Sequence, residues 1–177
     1  MTKRALIVID VQYDYFSGGA WALPASEQAL PNIVRRINLA RERGELVVFI
    51  QHLLPEGAPV FAQGTKGSLL HDDLNVQPED AVLHKTHPSS FQDTDLQAFL
   101  SRHSIEEVDI CGFMTQMCCD TTTREAYSRG YKVRFFSDAT AARDLESNGE
   151  TIPHNIVHQA ELVTLARFAT ILAVQDA

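Results

Sequence analysis

Short apolar runs alternate along the chain with longer stretches in which apolar residues recur at helical spacing. The runs are continuous, which is typical of parallel strands buried on both faces. They predict six strands, at 5–10, 45–51, 81–85, 108–113, 131–139 and 169–174. The other stretches predict helices at 26–44, 94–103 (with Thr94 as N-cap), 119–130 and 147–168. The pattern predicts an α/β protein with a three-layer Rossmann-like fold, in which helices flank a six-stranded, mainly parallel sheet.

The chain shows no internal repeat and no linker, and its 177 residues are the size of one domain. We therefore predict a single domain over residues 1–177. One segment, 52–79, is long for a connection in a compact domain and is punctuated by glycines at 57, 64 and 67. Such a segment is usually functional or covers a partner surface.

Composition and charge narrow the class of protein. Hydrophobic residues make up 45% and charged residues 21%, close to the average for a globular protein. The net charge is −8 and the basic residues are scattered, which argues against nucleic acid as a partner. Apolar runs fall short of the roughly 20 residues that span a membrane, and Asp10 interrupts the first run too early for a signal peptide. We therefore expect a cytoplasmic protein with no membrane partner.

The three cysteines also limit the chemistry. Their number is odd and two of them, Cys118 and Cys119, are adjacent, so a disulfide framework is not expected. Together with Cys111 they lack the C-x-x-C spacing of a zinc site. Reduced thiols are the expected state.

Residues capable of chemistry fall at the ends of the predicted strands. These are Asp10, Gln51 with His52, Lys85, the turn 112–118 and Asp138. In an open parallel sheet, ligands bind beyond the carboxyl ends of the strands, where the strand order reverses. We therefore expect these residues to converge on one edge of the sheet.

Cys118 is the candidate nucleophile among them. It lies at the start of a predicted helix, where free amides and the helix dipole favour a thiolate, and Lys85 would favour it further. Asp10 could take the thiol proton and return it to a leaving amine, while free turn amides could hold an oxyanion. Each residue also has a structural interpretation, as a cap, a solvated lysine or a packing thiol. Spacing alone does not separate Cys118 from Cys119.

Three segments carry a resemblance to a known family. LIVIDVQYDYF (6–16) resembles a D-x-Q-x-D-F opening, KTHPSSFQDTDL (85–96) a K-x-x-x-S-x-F-x-x-T-x-L segment, and GFMTQMCC (112–119) a G-x-x-T-x-x-C-V turn. GTKGSLLHDDL (64–74) and SDATAARD (137–144) also look like family segments. From about residue 4 to 174 the chain is similar to the isochorismatase-like cysteine hydrolases, which include nicotinamidases, N-carbamoylsarcosine amidases and ureidoacrylate amidohydrolases.

The resemblance implies a role for each residue of the site. Asp10 would be the base, Lys85 the charge stabiliser and Cys118 the nucleophile. It also implies a cis peptide bond between Phe113 and Met114, after which the amides of Met114 and Cys118 would form an oxyanion hole. By the same resemblance Cys119 stands where the family usually has valine.

The resemblance further implies an assembly, since the family commonly forms homodimers or homotetramers. The segment 52–79 is then our candidate for covering the pocket mouth of a second copy.

Metal chemistry is not expected. Nicotinamidases hold a metal through a D-x-H pair after the second strand, whereas this chain has IQHLLP, with His52 in the place of the Asp and Leu54 in that of the His. We therefore predict no catalytic metal and no cofactor. His52 is interpreted as a hydrogen-bonding residue of the rim, with a lone-ligand role as the alternative.

The complete Asp–Lys–Cys set favours hydrolysis of a C–N bond (amide, carbamoyl or ureido) through a thioester. Two alternatives stay open, namely hydrolysis of a vinyl ether of the isochorismate type, in which Cys118 is dispensable, and a non-catalytic homologue. Pocket contacts are expected from Gln12, Tyr15, Phe16, Gln51, His52 and Phe91, with Trp21 and Phe61 as further aromatic walls.

Overall fold

The computed structural model describes residues 3–177, and its strands agree closely with the apolar runs. In chain order they are β1 (Arg4–Ile9), β2 (Leu46–His52), β3 (Ala81–Lys85), β4 (Glu107–Phe113), β5 (Lys132–Ala141), β6 (Leu145–Ser147), β7 (Glu150–Ile152) and β8 (Thr170–Leu172). Six of them form one sheet in the order β3-β2-β1-β4-β5-β8, and every pairing in it is parallel. This confirms the predicted α/β class.

Helices cover both faces of the sheet. They are α1 (Ser26–Glu42), α2 (Leu96–Arg102), α3 (Asp120–Ser128) and α4 (His154–Leu165). Along β1, Leu6 and Val8 point into the core shared with α1, whereas Ala5 and Ile7 point into the core shared with α2 and α3. This two-sided burial is why the strands are continuously apolar, and it gives the three predicted layers.

The strand order reverses at β1, which lies between β2 and β4. The chain leaves β1 for α1 on one face of the sheet and leaves β4 for α3 on the other, which opens a crevice between these two strand ends.

The prediction of a helix over 147–168 is wrong in its first part. Residues 145–152 form an antiparallel hairpin, β6–β7, and α4 begins only at His154. The turn is Asn148–Gly149, with φ of 53° and 81°. Two consecutive positive φ angles are what a tight hairpin turn requires, and Asn-Gly supplies them at little cost.

Within residues 3–177, no helix is both long and apolar enough to cross a bilayer.

Candidate active site

Three strand ends bring Asp10, Lys85 and Cys118 together. Asp10 follows β1, Lys85 ends β3, and Cys118 lies in the turn after β4. Asp10 has φ of +50°, a left-handed conformation that costs a residue with a side chain about 1–2 kcal/mol. The conformation turns the chain out of the sheet immediately after the buried strand and leaves the carboxylate at the crevice.

Gly112 allows β4 to reach the same place. Its φ is +114°, and a β-carbon there would lie 2.0 Å from the carbonyl oxygen of Ile9. Only glycine fits such an approach. One residue further on, the peptide bond between Phe113 and Met114 is cis, as the resemblance implies. A single π-helical turn, Thr115–Cys119, then leads into α3.

The ammonium of Lys85 is the centre of the polar contacts. Its Nζ lies 2.7 Å from Oδ2 of Asp10 and 3.2 Å from Nδ1 of His52, and both side chains of the Asp10–Lys85 pair are fully buried. It also donates to the carbonyl oxygens of His87 (3.0 Å) and Pro88 (3.3 Å). Burial lowers the pKa of Lys85, but Asp10 and Cys118 outweigh it and the net shift is upward. Lys85 is therefore a protonated, buried cation rather than a solvated lysine.

Cys118 is a thiol at rest, which corrects the expectation of a thiolate at a helix N-terminus. Burial raises its pKa to about 12, and Asp10 adds to the rise, while Lys85 opposes it. One ligand atom each of Asp10, His52 and Cys118 lie within 4.8 Å of one another. Oδ1 of Asp10 is buried and meets no hydrogen-bond donor in the described chain. The Cys118 thiol thus lies beside the Asp10 carboxylate, which can accept its proton.

The turn before Cys118 also offers an unused amide. The carbonyl of Met114 accepts hydrogen bonds from the amides of Met117 (3.2 Å) and Cys119 (3.1 Å). The amide of Met114 itself donates to no group within residues 3–177. An amide free of partners at this position is suited to stabilise a developing negative charge.

A residue that the sequence did not indicate supports this turn. His158, on α4, contacts the hydroxyl of the fully buried Thr115 through Nδ1 at 2.9 Å. Burial lowers the pKa of His158, although its hydrogen bond to Ser137 opposes the shift. A neutral His158 therefore connects α4 to the turn. Helical periodicity carries no signal for such a contact.

The other two cysteines are packing residues in this structure. Cys119 is completely buried among the apolar residues under α2 and α3, and Cys111 is buried on the opposite face of the sheet. Burial raises the pKa of both thiols, that of Cys111 to about 12.

A largely apolar cavity of about 530 Å³ opens above Cys118. Its walls come from the segment after β1, the end of β2 and the segment that follows it, the segment after β3, the Met114–Cys118 turn, and the chain from the end of β5 into β6. The lining residues are Tyr15, Trp21, His52, Leu54, Val60, Phe61, Pro88, Met114, Gln116, Met117, Cys118, Arg143, Asp144, Leu145 and Glu146. A volume of this size suits a small molecule.

Of the predicted pocket residues, Tyr15 and His52 line this cavity, as do Trp21 and Phe61. The other predicted residues, Gln12, Phe16, Gln51 and Phe91, are not among those that line this cavity.

Their contacts explain why. Gln12 holds main-chain groups of His52 and Ser68, and Gln51 donates to the Ser68 carbonyl at 2.7 Å. Phe16 packs against His71 and Phe113, inside the core under α1.

Two more predicted positions point away from the cavity. Phe91 stacks on Tyr131 in the core of the opposite face. Asp138 lies within β5, not at its end, and its carboxylate accepts from the amide of Val174 at 2.9 Å.

The sequence did not indicate Arg143, which lies on the cavity wall. Its guanidinium carbon lies 5.1 Å from the centre of the Trp21 ring, within the range of a cation–π contact. The side chain is half-buried and forms no ion pair with any residue in 3–177. The neighbouring Asp144 is instead bonded to His154 at 3.0 Å.

The residues around Cys118 do not fit a resident metal ion. Asp10, His52 and Cys118 could each offer a ligand atom. The Lys85 ammonium, however, lies within 3.2 Å of both Asp10 and His52, so a cation there would meet a like charge. The second position of the D-x-H pair is Leu54, which has no ligand atom.

Fold and site together define a class: an α/β protein whose reactive groups, a thiol, a carboxylate and an ammonium, meet at the reversal point of a parallel sheet. The chain belongs to the isochorismatase family of hydrolases, since the family model of the Isochorismatase domain matches residues 4–176.

Individual relatives agree with this membership. An uncharacterized isochorismatase family protein, YddQ of Bacillus subtilis (strain 168), is 35% identical over 163 residues, which are 91% of this chain and 90% of that protein. Nicotinamidase 3 of Arabidopsis thaliana is 32% identical over 92% of this chain and 80% of its own length. A crystal structure from Oleispira antarctica, provisionally described as an isochorismatase hydrolase, is 35% identical, with a TM-score of 0.95 over 99% of this chain and 95% of that one.

Proposed function

We propose that the protein is a cysteine-dependent hydrolase that cleaves an amide, carbamoyl or ureido C–N bond of a small molecule through a thioester. One observation carries the proposal: a thiol, Cys118, lies on the floor of an apolar cavity beside a carboxylate, Asp10, which a buried lysine holds in place. The similarity to a nicotinamidase supports C–N chemistry within the family.

Acylation begins with proton transfer from the thiol. Oδ1 of Asp10 takes the proton as Sγ of Cys118 bonds to the carbonyl carbon, and the carbonyl π electrons move to oxygen. The amides of Met114 and Cys118 stabilise that oxyanion. When the intermediate collapses, the C–N bond breaks, the nitrogen takes the proton from Asp10, and the amine leaves behind a thioester.

Deacylation uses the same carboxylate. Asp10 takes a proton from water as the water oxygen bonds to the thioester carbon, and collapse then breaks the C–S bond. Cys118 recovers the proton from Asp10 and the carboxylic acid departs. The Lys85 ammonium stabilises negative charge on both Asp10 and Cys118. Because burial keeps the Cys118 thiol protonated at rest, the thiolate forms only while the substrate is being attacked.

Arg143 supports a more specific substrate class. Arg143 is a half-buried cation without an ion pair on the cavity wall, and the two carboxylates of that wall bond elsewhere, Asp144 to His154 and Glu146 to Thr151. Arg143 is therefore suited to hold an anionic group away from the scissile bond. We therefore propose a substrate with an apolar body and a carboxylate or similar group at its far end.

A hydrolysis screen by mass spectrometry tests the proposal. The panel contains nicotinamide, carbamoyl and ureido compounds, aryl amides and isochorismate, each incubated with wild type, Cys118→Ala and Cys119→Val. We expect turnover of a C–N substrate by wild type and by Cys119→Val, none by Cys118→Ala, and an acyl adduct on the Cys118 peptide after acid quenching. The Cys119→Val variant controls for disturbance of the turn.

Other outcomes of the screen point elsewhere. Isochorismate turnover that survives Cys118→Ala would replace the C–N assignment by vinyl-ether hydrolysis. If wild type turns over no compound and no adduct forms, the non-catalytic alternative gains.

We also propose a homodimer or homotetramer. The segment 52–79 contributes Leu54, Val60 and Phe61 to the cavity wall of its own chain, and Leu69 on this segment is an exposed apolar side chain. Light scattering is the test, and a solution mass of about one chain, 19.7 kDa, would refute the proposal.

A further inference from the structure

The ring of His52 is held from several sides. The side chain of the fully buried Gln12 accepts from the His52 amide at 2.8 Å and donates to the His52 carbonyl at 2.8 Å. The ring stacks on Phe61, with centroids 5.4 Å apart and planes at 23°. Nδ1 contacts the Lys85 ammonium at 3.2 Å. Backbone, ring face and one ring nitrogen are therefore all constrained.

The contact with Lys85 determines where the ring proton resides. An ammonium has only donors, so Nδ1 must be the acceptor of this hydrogen bond. A neutral imidazole that accepts at Nδ1 carries its proton on Nε2.

Nε2 has no hydrogen-bond partner within the described residues, and the ring lines the cavity. A His52 ring nitrogen lies within 4.8 Å of the Cys118 sulfur. The donor that Lys85 creates on Nε2 is thus unused by the protein, and it belongs to a cavity-lining ring that has one nitrogen within 4.8 Å of the Cys118 sulfur.

We propose that His52 is a substrate-binding residue that donates a hydrogen bond from Nε2 to an acceptor atom of the substrate next to the scissile C–N bond. The inference rests on the proposed function. In this role His52 is neither a metal ligand nor a base. Good substrates are therefore expected to carry a hydrogen-bond acceptor close to the attacked carbonyl.

Two matched substitutions separate this role from a structural one. His52→Asn keeps an acceptor at the position of Nδ1, facing Lys85, but removes the donor in the cavity. His52→Gln places an amide N–H close to the position of Nε2 but removes the acceptor for Lys85. Kinetics of both variants are measured on the best substrate of the screen, together with urea unfolding as a measure of structural damage.

We expect His52→Asn to lower kcat/KM by about 10- to 100-fold, because one hydrogen bond to the substrate is lost. His52→Gln should retain most of the activity. The opposite order, with His52→Asn near wild type and His52→Gln strongly impaired, would show that His52 serves only to hold Lys85, and would overturn the inference.

A second readout is independent of turnover. In protein carrying ¹⁵N-labelled histidine, the His52 ring should show a proton on Nε2 and a bare Nδ1 at neutral pH, and His52→Asn identifies its signals. A ring protonated at Nδ1 overturns the inference even if a substrate is found. Failure of wild type to turn over any compound would instead count against the proposed function, while this spectrum still decides the tautomer.

Discussion

Replacing Lys85 by methionine removes one half of a fully buried ion pair, and its cost can be worked from the structure. Nζ and Oδ2 of Asp10 are 2.7 Å apart with neither side chain exposed. At an effective dielectric constant of 20, the Coulomb attraction at that distance is about 6 kcal/mol. Desolvation of both groups offsets much of this, so the pair adds little net stability. Removing one partner leaves a buried carboxylate uncompensated, which costs about 3–5 kcal/mol.

A double-mutant cycle isolates this pair. The variants are Lys85→Met, Asp10→Asn and the two combined, with Lys132→Met as a control at an exposed lysine. Each is unfolded in urea at one protein concentration, with the fluorescence of the single tryptophan as the signal. We expect Lys85→Met to lose about 3–5 kcal/mol and Lys132→Met less than about 0.5 kcal/mol. The double variant should be at least about 2 kcal/mol more stable than the sum of the single effects, because it buries no unpaired charge.

Stability is the right assay because both single variants are expected to be inactive, so activity would not separate them. Additivity within about 0.5 kcal/mol would mean that the two groups do not interact in solution. The geometry on which Asp10 and Lys85 are assigned their roles would then be refuted.

Three further predictions follow from single residues. Because the pKa of the Cys118 thiol is raised to about 12, the thiolate is scarce at neutral pH. The rate at which iodoacetamide alkylates Cys118 should therefore rise about tenfold per pH unit from pH 7 to pH 10 without levelling. A plateau of that rate below pH 8 would contradict the buried thiol. Gly112→Ala should cost about 3 kcal/mol or more in urea unfolding, because its β-carbon would meet the Ile9 carbonyl at 2.0 Å. Gly130→Ala, at φ of +91° with open space, should cost only about 1 kcal/mol, so equal losses would contradict the steric explanation. Arg143→Gln should raise KM for an acidic substrate and leave KM for its neutral amide analogue unchanged, and a parallel rise in both would argue against an anion site.

The sheet was predictable because both of its faces are covered. Two-sided burial makes β1 and β4 continuously apolar, and such runs stand out without any knowledge of what packs on them. The position of residues at strand ends is predictable for the same reason, since the carboxyl ends of parallel strands all lie at one edge of the sheet. Asp10 and Lys85 are therefore brought together by topology alone, before any side-chain contact is considered.

The cavity walls were not predictable in the same way. Phe61 and Phe91 are both buried aromatics in loops, yet one lines the cavity and the other packs on Tyr131 in the opposite layer. The face of the sheet on which a loop side chain packs depends on tertiary contacts, and these contacts cannot be predicted from the local sequence. The hairpin after β5 is a different case. The sequence contains its turn signal, Asn148–Gly149, and this signal argues against the helix predicted over 147–168.

The buried ammonium connects the proposed chemistry with the proposed role of His52. Lys85 has three N–H donors, but Asp10, His52 and the carbonyls of His87 and Pro88 all lie within 3.3 Å of Nζ. Its three hydrogens are therefore shared among more acceptors than it has donors. A thiolate at Cys118 gains both from the charge of Lys85 and from a hydrogen bond with it. Lys85 thus contacts both Asp10 and the His52 ring, while burial keeps the Cys118 thiol protonated at rest.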